Sequence, residues 1–396
     1  MKKTVVLLIV LLAGSGIVFS QTEIFESPFL PVSPEVMGQG GSFVAAAHGY
    51  NSLFYNPAGF ARPDGSFTLA SATAWMYSRP DRILAALEGM SGFSPDELLG
   101  LIDVMSDQIT SGGFGVGTAE SVFGIVGRGF GLGATFMVDS YVYGRTVLGA
   151  EGELTATLGA IAGYAFPFEL FGIKFSVGGD LRPMMRIHVP ITNQNISQIF
   201  GIVTGGGAEG EDPGEAILNS IDALYGWGLG LDVGAIMEIA PFSVGISVRD
   251  LFGTRFQYMK SGLKSFVDGG LDFSQGTPVD DTYVIPMNIY GGFAFHPDLG
   301  FLKYIIDPTV HIGLEDPIGV FRDERSPWTL LHLGGEVRLL SLFSVRAGLN
   351  QGYITVGAGA KLLFLDVNFA LFTRELGKRI GDRPNSGVTF EAALRF

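Results

Sequence analysis

Residues 386–396 read SGVTFEAALRF and decide the fold, because apolar and polar side chains alternate along them. One face carries Val388, Phe390, Ala392, Leu394 and Phe396, whereas Thr389, Glu391 and Arg395 lie on the other. Successive side chains of a β-strand point to opposite faces, so a period of two residues is typical of a strand. The stretch therefore predicts a strand with one apolar face and one polar face.

The same alternation recurs through most of the chain. In residues 342–350, for example, Phe343 and Val345 alternate with Ser344 and Arg346. Extending the pattern predicts about fourteen strands, and twelve or sixteen remain possible because boundaries read from sequence carry errors of a few residues. The predicted strands are 66–77, 112–126, 129–143, 152–165, 170–189, 225–239, 241–256, 284–296, 301–315, 329–339, 342–350, 353–361, 362–374 and 386–396.

Composition indicates where such strands would lie. Of the 396 residues, 47% are hydrophobic and only 16% are charged, below the roughly 25% charged residues of soluble domains. After the N-terminus, no stretch offers the ~20 consecutive apolar residues of a membrane-spanning helix. The all-β alternative is a closed transmembrane antiparallel β-barrel, which we predict over residues 65–396. The chain has no cysteine, which excludes disulfides.

The predicted connections alternate between long and short. Long stretches at 78–111, 190–224 and 257–283 are separated by short turns such as Gly127-Arg128. Bacterial barrels have short periplasmic turns and longer external loops. Both termini are therefore expected to face the periplasm, and the long loops are expected to face outward.

The first twenty residues predict a secretory signal peptide, with a membrane anchor as the alternative. Lys2 and Lys3 precede an apolar run, and Ser20 ends a plausible cleavage site. The 39 acidic against 25 basic residues leave a net charge of -14. That balance argues against nucleic-acid binding, which needs a basic surface. Export and dispersed apolarity together predict the outer membrane of a diderm bacterium.

Residues 21–64 precede the first strand and do not alternate. They contain many small residues, and Asn56-Pro57 predicts a helix N-cap followed by proline at the first helical position. We expect this segment to lie inside the lumen as a plug. The alternative is a disordered periplasmic extension, which the segment's low charge and apolar content argue against.

Two of the long loops carry helix signals. Ser94-Pro95-Asp96-Glu97 is a capping box, and Asp212-Pro213-Gly214-Glu215 has the same arrangement of a capping residue, proline and glutamate. Apolar residues in these loops are candidates for a hydrophobic surface groove: Leu98, Ile102, Met105, Ile199, Phe200, Ile217 and Ile221. The alternative is that these helices only pack on one another as a lid.

The motif Asn56-Pro57-Ala58-Gly59 resembles the Asn-Pro-Ala-Gly motif in the plug of the FadL family of outer-membrane long-chain fatty acid transporters. Residues 37–52 are similar to that family's lead-in, although His48 and Gly49 stand where acidic residues often occur. Residues 346–353 are similar to the PorV-like branch of the same superfamily. The resemblance covers the plug by motif and the barrel by architecture, whereas the long loops are not matched.

The resemblance implies a fourteen-stranded barrel plugged by its N-terminus. It also implies that external loops capture a hydrophobic ligand, such as a long-chain fatty acid, which passes to an internal pocket and leaves sideways through the wall. A carboxylate head group would need a cation, and alternation places these charged residues in the lumen: Arg249, Arg338, Arg346, Arg395, Glu336, Asp366 and Glu391. The alternative is that these charges pair with one another within the wall.

Passive uptake of hydrophobic molecules is therefore the first hypothesis. A PorV-like shuttle for exported proteins and a nonspecific porin are the others. An enzyme is not expected, because the histidines show no metal-ligand spacing and no nucleophile motif occurs. We predict no catalytic residue, no metal and no cofactor. The expected partners are membrane lipids, the hydrophobic ligand and the outer-membrane assembly machinery, whose signal the C-terminal Phe396 resembles.

Overall fold

The computed structural model describes residues 23–77, 106–110, 113–202, 213–268 and 276–396. Its strands in chain order are β1 (Glu23–Phe25), β2 (Ser66–Tyr77), β3 (Gly115–Gly127), β4 (Phe130–Tyr143), β5 (Glu151–Leu170), β6 (Ile173–Ile191), β7 (Asp222–Ile239), β8 (Phe242–Arg249), β9 (Thr254–Gly262), β10 (Thr277–Pro278), β11 (Thr282–Ile285), β12 (Asn288–Phe295), β13 (Ile306–Glu315), β14 (Leu331–Leu339), β15 (Phe343–Asn350), β16 (Tyr353–Leu362), β17 (Leu365–Glu375) and β18 (Pro384–Arg395). The predicted signal peptide, with its cleavage site at Ser20, lies outside the described residues.

The strands close into a fourteen-stranded antiparallel barrel, as the sequence predicts. Neighbouring wall strands pair in chain order, and the ring closes where β18 pairs with β2. Two of the fourteen wall strands consist of several elements. One comprises β8 and β9, which both pair with β7, and the next comprises β10, β11 and β12. Closure leaves the wall without a free edge, which is how barrels satisfy their backbone in a membrane.

The prediction of one continuous strand over 241–256 is wrong. The ladder stops after Arg249 and resumes at Thr254, because Asp250 and Phe252 adopt left-handed φ angles of 50° and 66°. The predicted strand 284–296 is likewise divided between Ile285 and Asn288, and the Pro286 it contains has no N–H to donate to a ladder. The predicted strand 301–315 begins only at Ile306.

Side chains alternate across the wall as the sequence predicts. On β18 and the residue after it, Phe390 and Phe396 are 46% and 61% exposed on the outer face, whereas Thr389 and Glu391 are 1% and 4% exposed toward the lumen. The outer face is therefore apolar and the inner face polar, which is the pattern of a transmembrane barrel.

The helices are short. They are α1 (Pro34–Gly38), α2 (Ser52–Tyr55), α3 (Asn193–Gly201), α4 (Pro213–Ser220), α5 (Leu263–Asp268) and α6 (Pro317–Arg322), with 3-10 turns at Gly49–Asn51, Pro57–Ala61, Gly300–Tyr304 and Pro327–Leu330. Across the described part of the chain, no helix is long and apolar enough to cross a membrane.

The long loops differ in extent from their predictions. Because β7 begins at Asp222, the loop predicted at 190–224 ends earlier. The loop predicted at 257–283 is shorter still, since β9 runs to Gly262 and β11 begins at Thr282. Most of the stretch 78–111 lies outside the described residues, and residues 106–110 are helical.

Residues 23–65 are called the inner segment below, and all of them except β1 lie within the ring. Helix α1 contacts β15 to β18, and the 3-10 turn at Pro57–Ala61 contacts β3 to β7. Side chains of this segment, including Phe29, Val36, Phe54 and Phe60, are almost wholly buried. The hydrophobic core of the protein therefore lies in the lumen, between the inner segment and the wall.

Candidate functional site

Glycines line the lumen where the wall meets the inner segment. Every wall strand from β3 through β16 supplies at least one glycine whose added Cβ would meet that segment: Gly124, Gly131, Gly133, Gly159, Gly163, Gly178, Gly234, Gly245, Gly292, Gly313, Gly334, Gly348 and Gly357. At Gly178 this Cβ would lie 2.6 Å from the Pro57 carbonyl oxygen, and at Gly245 it would lie 2.7 Å from the Val44 carbonyl oxygen. The missing side chains let backbone approach backbone, so the inner segment fits the wall closely.

The Asn56-Pro57-Ala58-Gly59 motif joins the inner segment to the wall. The Asn56 side chain is fully buried, and its Oδ1 accepts a hydrogen bond from the Ala58 N–H at 3.0 Å as the N-cap of the 3-10 turn. Its Nδ2 donates to the carbonyl oxygens of Val44, at 3.0 Å, and of Ile246 on β8, at 3.3 Å. One amide side chain thus caps a turn, ties two parts of the inner segment together and bonds to the wall.

Wall side chains on the opposite side satisfy the backbone of residues 39–41. The Gly40 N–H donates to Thr355 Oγ1 at 3.1 Å, and the Gly40 carbonyl oxygen lies 2.7 Å from His332 Nδ1. His311 Nε2 lies 2.9 Å from the Gln39 carbonyl oxygen. Because Gly40 and Gly41 have φ angles of 86° and 89°, this turn needs glycine.

The predicted lumen charges on β14 and β15 form part of a network. Glu336 accepts hydrogen bonds from Arg346 at 2.6 Å and from Arg338 at 2.8 Å. Arg346 also donates to Asn368 Oδ1 at 2.8 Å. Arg346 is 5% exposed, whereas the side chain of Arg338 is 43% exposed and lies at the edge of the network.

The same network continues across β17 and β18. Asn368 Nδ2 donates to Glu391 at 3.0 Å, and Arg395 donates to Glu391 at 2.8 Å and to Asp366 at 3.3 Å. Each arginine predicted in this half of the wall therefore already has a carboxylate partner. A fatty acid head group would have to displace one of them.

Arg249 belongs to a second charge cluster, on β6 to β8. Arg182 pairs with Asp232 and lies 3.2 Å from Asp250, and Arg249 lies 3.4 Å from Asp232. Arg182 is fully buried, and Asp180 lies beside it. Sequence reasoning did not single out Arg182, although alternation along the predicted strand 170–189 places it on the lumen face.

The start of the inner segment is tied to this second cluster. Arg186 Nη1 donates to Glu26 Oε2 at 2.9 Å, and the Tyr258 hydroxyl donates to Glu26 Oε1 at 2.8 Å. Arg249 Nη2 donates to the Phe29 carbonyl oxygen at 3.1 Å. Buried arginines of the wall therefore hold residues 26–29 in place.

β1 occupies a position in the wall itself. The ladder between β12 and β13 ends at Glu315, where the chain turns at Asp316 with a φ of 56° and enters α6. The edge of β11 that would face β13 instead pairs with β1, in parallel, over three residues. This part of the wall, with the interruptions in the two neighbouring wall strands, is called the interrupted wall below (residues 249–254, 282–288 and β1).

Two adjoining cavities open at the end of the barrel with the short turns. Their volumes are about 390 Å³ and about 440 Å³, and they share Glu35, His48, His296, Glu336 and Arg338. Both linings mix charged side chains with apolar ones, among them Phe43 and Phe242 in the first cavity. An apolar molecule bound at this end of the lumen would therefore lie beside several charged side chains, which lose hydration when it binds.

The predicted external groove is described only in part. Leu98, Ile102 and Met105 lie outside the described residues, as do the side chains of Phe200 and Ile217. Ile199 and Ile221 are half-buried, and α4 contacts both α3 and α5. In the described ranges, no group of three or more His, Asp or Glu side chains could hold a metal ion.

A closed barrel with an apolar outer face and a segment inside its lumen defines the class of this protein as a transmembrane β-barrel. No protein-family model and no curated protein sequence matches the chain. Among solved structures, the chain is similar to the toluene transporter TodX of Pseudomonas putida, with 11% identity, 94% of this chain and 99% of that chain covered, and a TM-score of 0.45.

Two further solved structures show similarity of the same order. One is the CymD monoaromatic hydrocarbon channel, with 13% identity, coverage of 91% and 96%, and a TM-score of 0.48. The other is a FadL homologue of Pseudomonas aeruginosa, with 11% identity, coverage of 94% and 99%, and a TM-score of 0.46. The barrel assignment itself rests on the strand pairing of this chain.

Proposed function

We propose that this protein is an outer-membrane barrel for the passive uptake of hydrophobic molecules such as long-chain fatty acids, with the inner segment as its plug. The close fit between the glycine-lined wall and the inner segment carries the proposal. The inner segment meets the wall around most of the ring, through backbone atoms at some glycines and through side chains at others, so we infer that the lumen axis is closed at that level. A solute that enters from outside must therefore leave the lumen sideways, through the wall.

The charged side chains in the two cavities favour a sideways route. An apolar solute gains about 0.8 kcal/mol for each methylene that it buries among apolar groups. A cavity in which Glu35, Glu336 and Arg338 lie beside apolar side chains offers only part of that gain. Passage from the lumen into the membrane would keep the solute in apolar surroundings throughout.

The interrupted wall is the proposed exit. Only the three residues of β1 pair with the edge of β11 that faces away from β9, and the ladder of β8 and β9 is broken beside them. Release of β1 would leave a gap between β11 and β13 without breaking any pairing between full-length wall strands. We propose that capture begins at the external loops, where Ile199 and Ile221 lie.

A disulfide lock tests this exit, because the chain has no cysteine of its own. Ile24 and Tyr283 are register partners of β1 and β11, so an Ile24→Cys/Tyr283→Cys variant would join them. In proteoliposomes, oxidation should abolish palmitate transfer and a reductant should restore it. A Val337→Cys/Val345→Cys pair, which joins β14 to β15, is the control and should transfer palmitate in both states. Equal transfer by the Ile24→Cys/Tyr283→Cys variant in its oxidised and reduced states would rule out this exit.

Co-purification identifies the cargo. Protein extracted from its native membrane in mild detergent should carry a long-chain amphiphile that mass spectrometry detects. Asn56→Ala should lower its amount, because Asn56 links the inner segment to β8. A specific polypeptide in place of the lipid would favour the PorV-like shuttle and contradict the proposal.

A further inference from the structure

Three turns at one end of the barrel hold bulky apolar residues in an unfavourable backbone conformation. Phe171, Leu340 and Leu363 have φ angles of 54°, 54° and 59°. This left-handed region is costly for side chains with a Cβ, and glycine, asparagine and aspartate are the usual residues in tight hairpin turns. Turn formation by itself therefore does not explain why these three residues are large and apolar.

The same three side chains are also unusually exposed. Phe171 is 94%, Leu363 is 87% and Leu340 is 58% exposed. In water, each would add the cost of a hydrated apolar surface to the cost of its backbone conformation. Both free-energy costs would be offset if the apolar side chain lay in apolar surroundings instead of water.

A turn at the opposite end provides the contrast. Gln351 has a φ of 53° and is followed by Gly352, with a φ of 94°, in the tight turn between β15 and β16. The backbone conformation matches that of Leu363, but the side chain is polar. At the end with the short turns, Arg128 and Ser341 also have left-handed φ angles, so the large apolar residues occupy three of its turns rather than all of them.

The outer face of the barrel runs without a break into one of these turns. Tyr164, Phe166, Phe168 and Leu170 follow one another at every second position on the outer face of β5, and each is at least 42% exposed. This row of side chains continues beyond Tyr164, the last residue of β5 that pairs with β4, and ends next to Phe171. This apolar face therefore continues from the lipid-facing wall onto the turn.

We propose that Phe171, Leu340 and Leu363 form an apolar rim that inserts into the phospholipid leaflet around the short-turn end of the barrel. In the proposed orientation this is the inner leaflet of the outer membrane. Contact with lipid stabilises the exposed side chains and thereby offsets the free-energy cost of the strained turns. The rim places the mouth of the polar cavities at the level of the lipid head groups. This proposal requires the barrel to lie in a membrane, but it is independent of transport.

Spin labels measure the depth of each turn. Phe171→Cys, Leu363→Cys and Gln351→Cys, each labelled with a nitroxide, would be reconstituted in vesicles of phosphatidylethanolamine and phosphatidylglycerol. Labels at 171 and 363 should collide with oxygen more often than with a water-soluble nickel complex. The matched control at 351 should show the reverse. Nickel accessibility at 171 and 363 equal to that at 351 would overturn the proposal, as would loss of both accessibilities, which marks contact with a second copy of the chain.

A second variant separates lipid contact from turn strain. Phe171→Asn suits the left-handed turn better but removes the apolar side chain. In vesicles, the urea midpoint of unfolding should fall, because the lost lipid contact outweighs the relieved strain. An unchanged or higher midpoint would show that Phe171 is only a strained turn residue and would overturn the proposal.

Discussion

The barrel has two unlike sides. From β14 to β18 the wall strands pair without interruption, and one network of charges from Arg338 to Arg395 spans their lumen faces. Across the interrupted wall the ladder breaks, and β1 rather than β13 pairs with β11. The difference shows that a ring of strands can close although strand pairing is not continuous on every side of the wall. A barrel can be closed in topology and still have one side that depends on three residues of its N-terminal segment.

Arg182→Met should have the largest effect on stability. Its guanidinium is fully buried among Asp180, Asp232 and Asp250, so its loss leaves three carboxylates facing Arg249 alone. Loss of one partner from a buried charge cluster costs about 3–5 kcal/mol. Urea unfolding in lipid vesicles measures this loss, and Arg182→Lys should lose less because it keeps the charge. A small loss would show that the interrupted wall does not depend on its charge cluster.

Val345→Arg should cost about 2–4 kcal/mol if Val345 faces the middle of the membrane. Val345 is exposed on the outer face of β15, whereas its neighbour Ser344 lines one of the polar cavities. Ser344→Arg is therefore the control and should change the urea midpoint little. Equal losses for the two variants would contradict the assignment of the two faces of the uninterrupted side.

Gly178→Ala should destabilise the protein by about 1–3 kcal/mol, because overpacking a filled interior has costs of this size. The added methyl group would meet the Pro57 carbonyl oxygen of the plug motif. Gly291→Ala is a matched control, since no atom lies within 4 Å of its added Cβ. Thermal unfolding in one detergent compares the two. Equal midpoints would show that the inner segment shifts easily against the wall.

Arg338→Met should have the smallest effect, below about 1 kcal/mol, because partly exposed ion pairs contribute little. Glu336 would keep its hydrogen bond to buried Arg346. The same unfolding assay applies as for Arg182→Met, which makes the two arginines a direct comparison of the two sides. A loss as large as that of Arg182→Met would contradict their different burial.

Alternation predicted the uninterrupted side well, because each strand there shows its lipid and lumen faces directly in the sequence. The strand predicted at 342–350 is observed as Phe343–Asn350, and 353–361 as Tyr353–Leu362. The interruptions of the wall could not be predicted from the alternation of apolar and polar residues. The break at Asp250 depends on contacts with Asp232 and Arg182, which are distant in the chain.

The lumen was only partly predictable for the same reason. The alternation that placed Arg346 and Glu391 in the lumen also places Arg182 and Arg186 there, so their positions could have been found. Their partners could not, since Glu26 reaches Arg186 only because the inner segment enters the ring at β11. The glycine count was informative in retrospect, but sequence does not reveal which glycines face the inner segment.

Amide hydrogen exchange in lipid nanodiscs, with and without palmitate, tests the central claim most directly. If solute leaves through the interrupted wall, palmitate should change exchange in residues 23–29, 249–258 and 282–288. Exchange in residues 33–61, which the glycine-lined wall holds, and along β14 to β18 should stay unchanged. A ligand-dependent change in residues 33–61 with none in residues 23–29 would contradict the account, because the solute would then pass by movement of the plug along the axis.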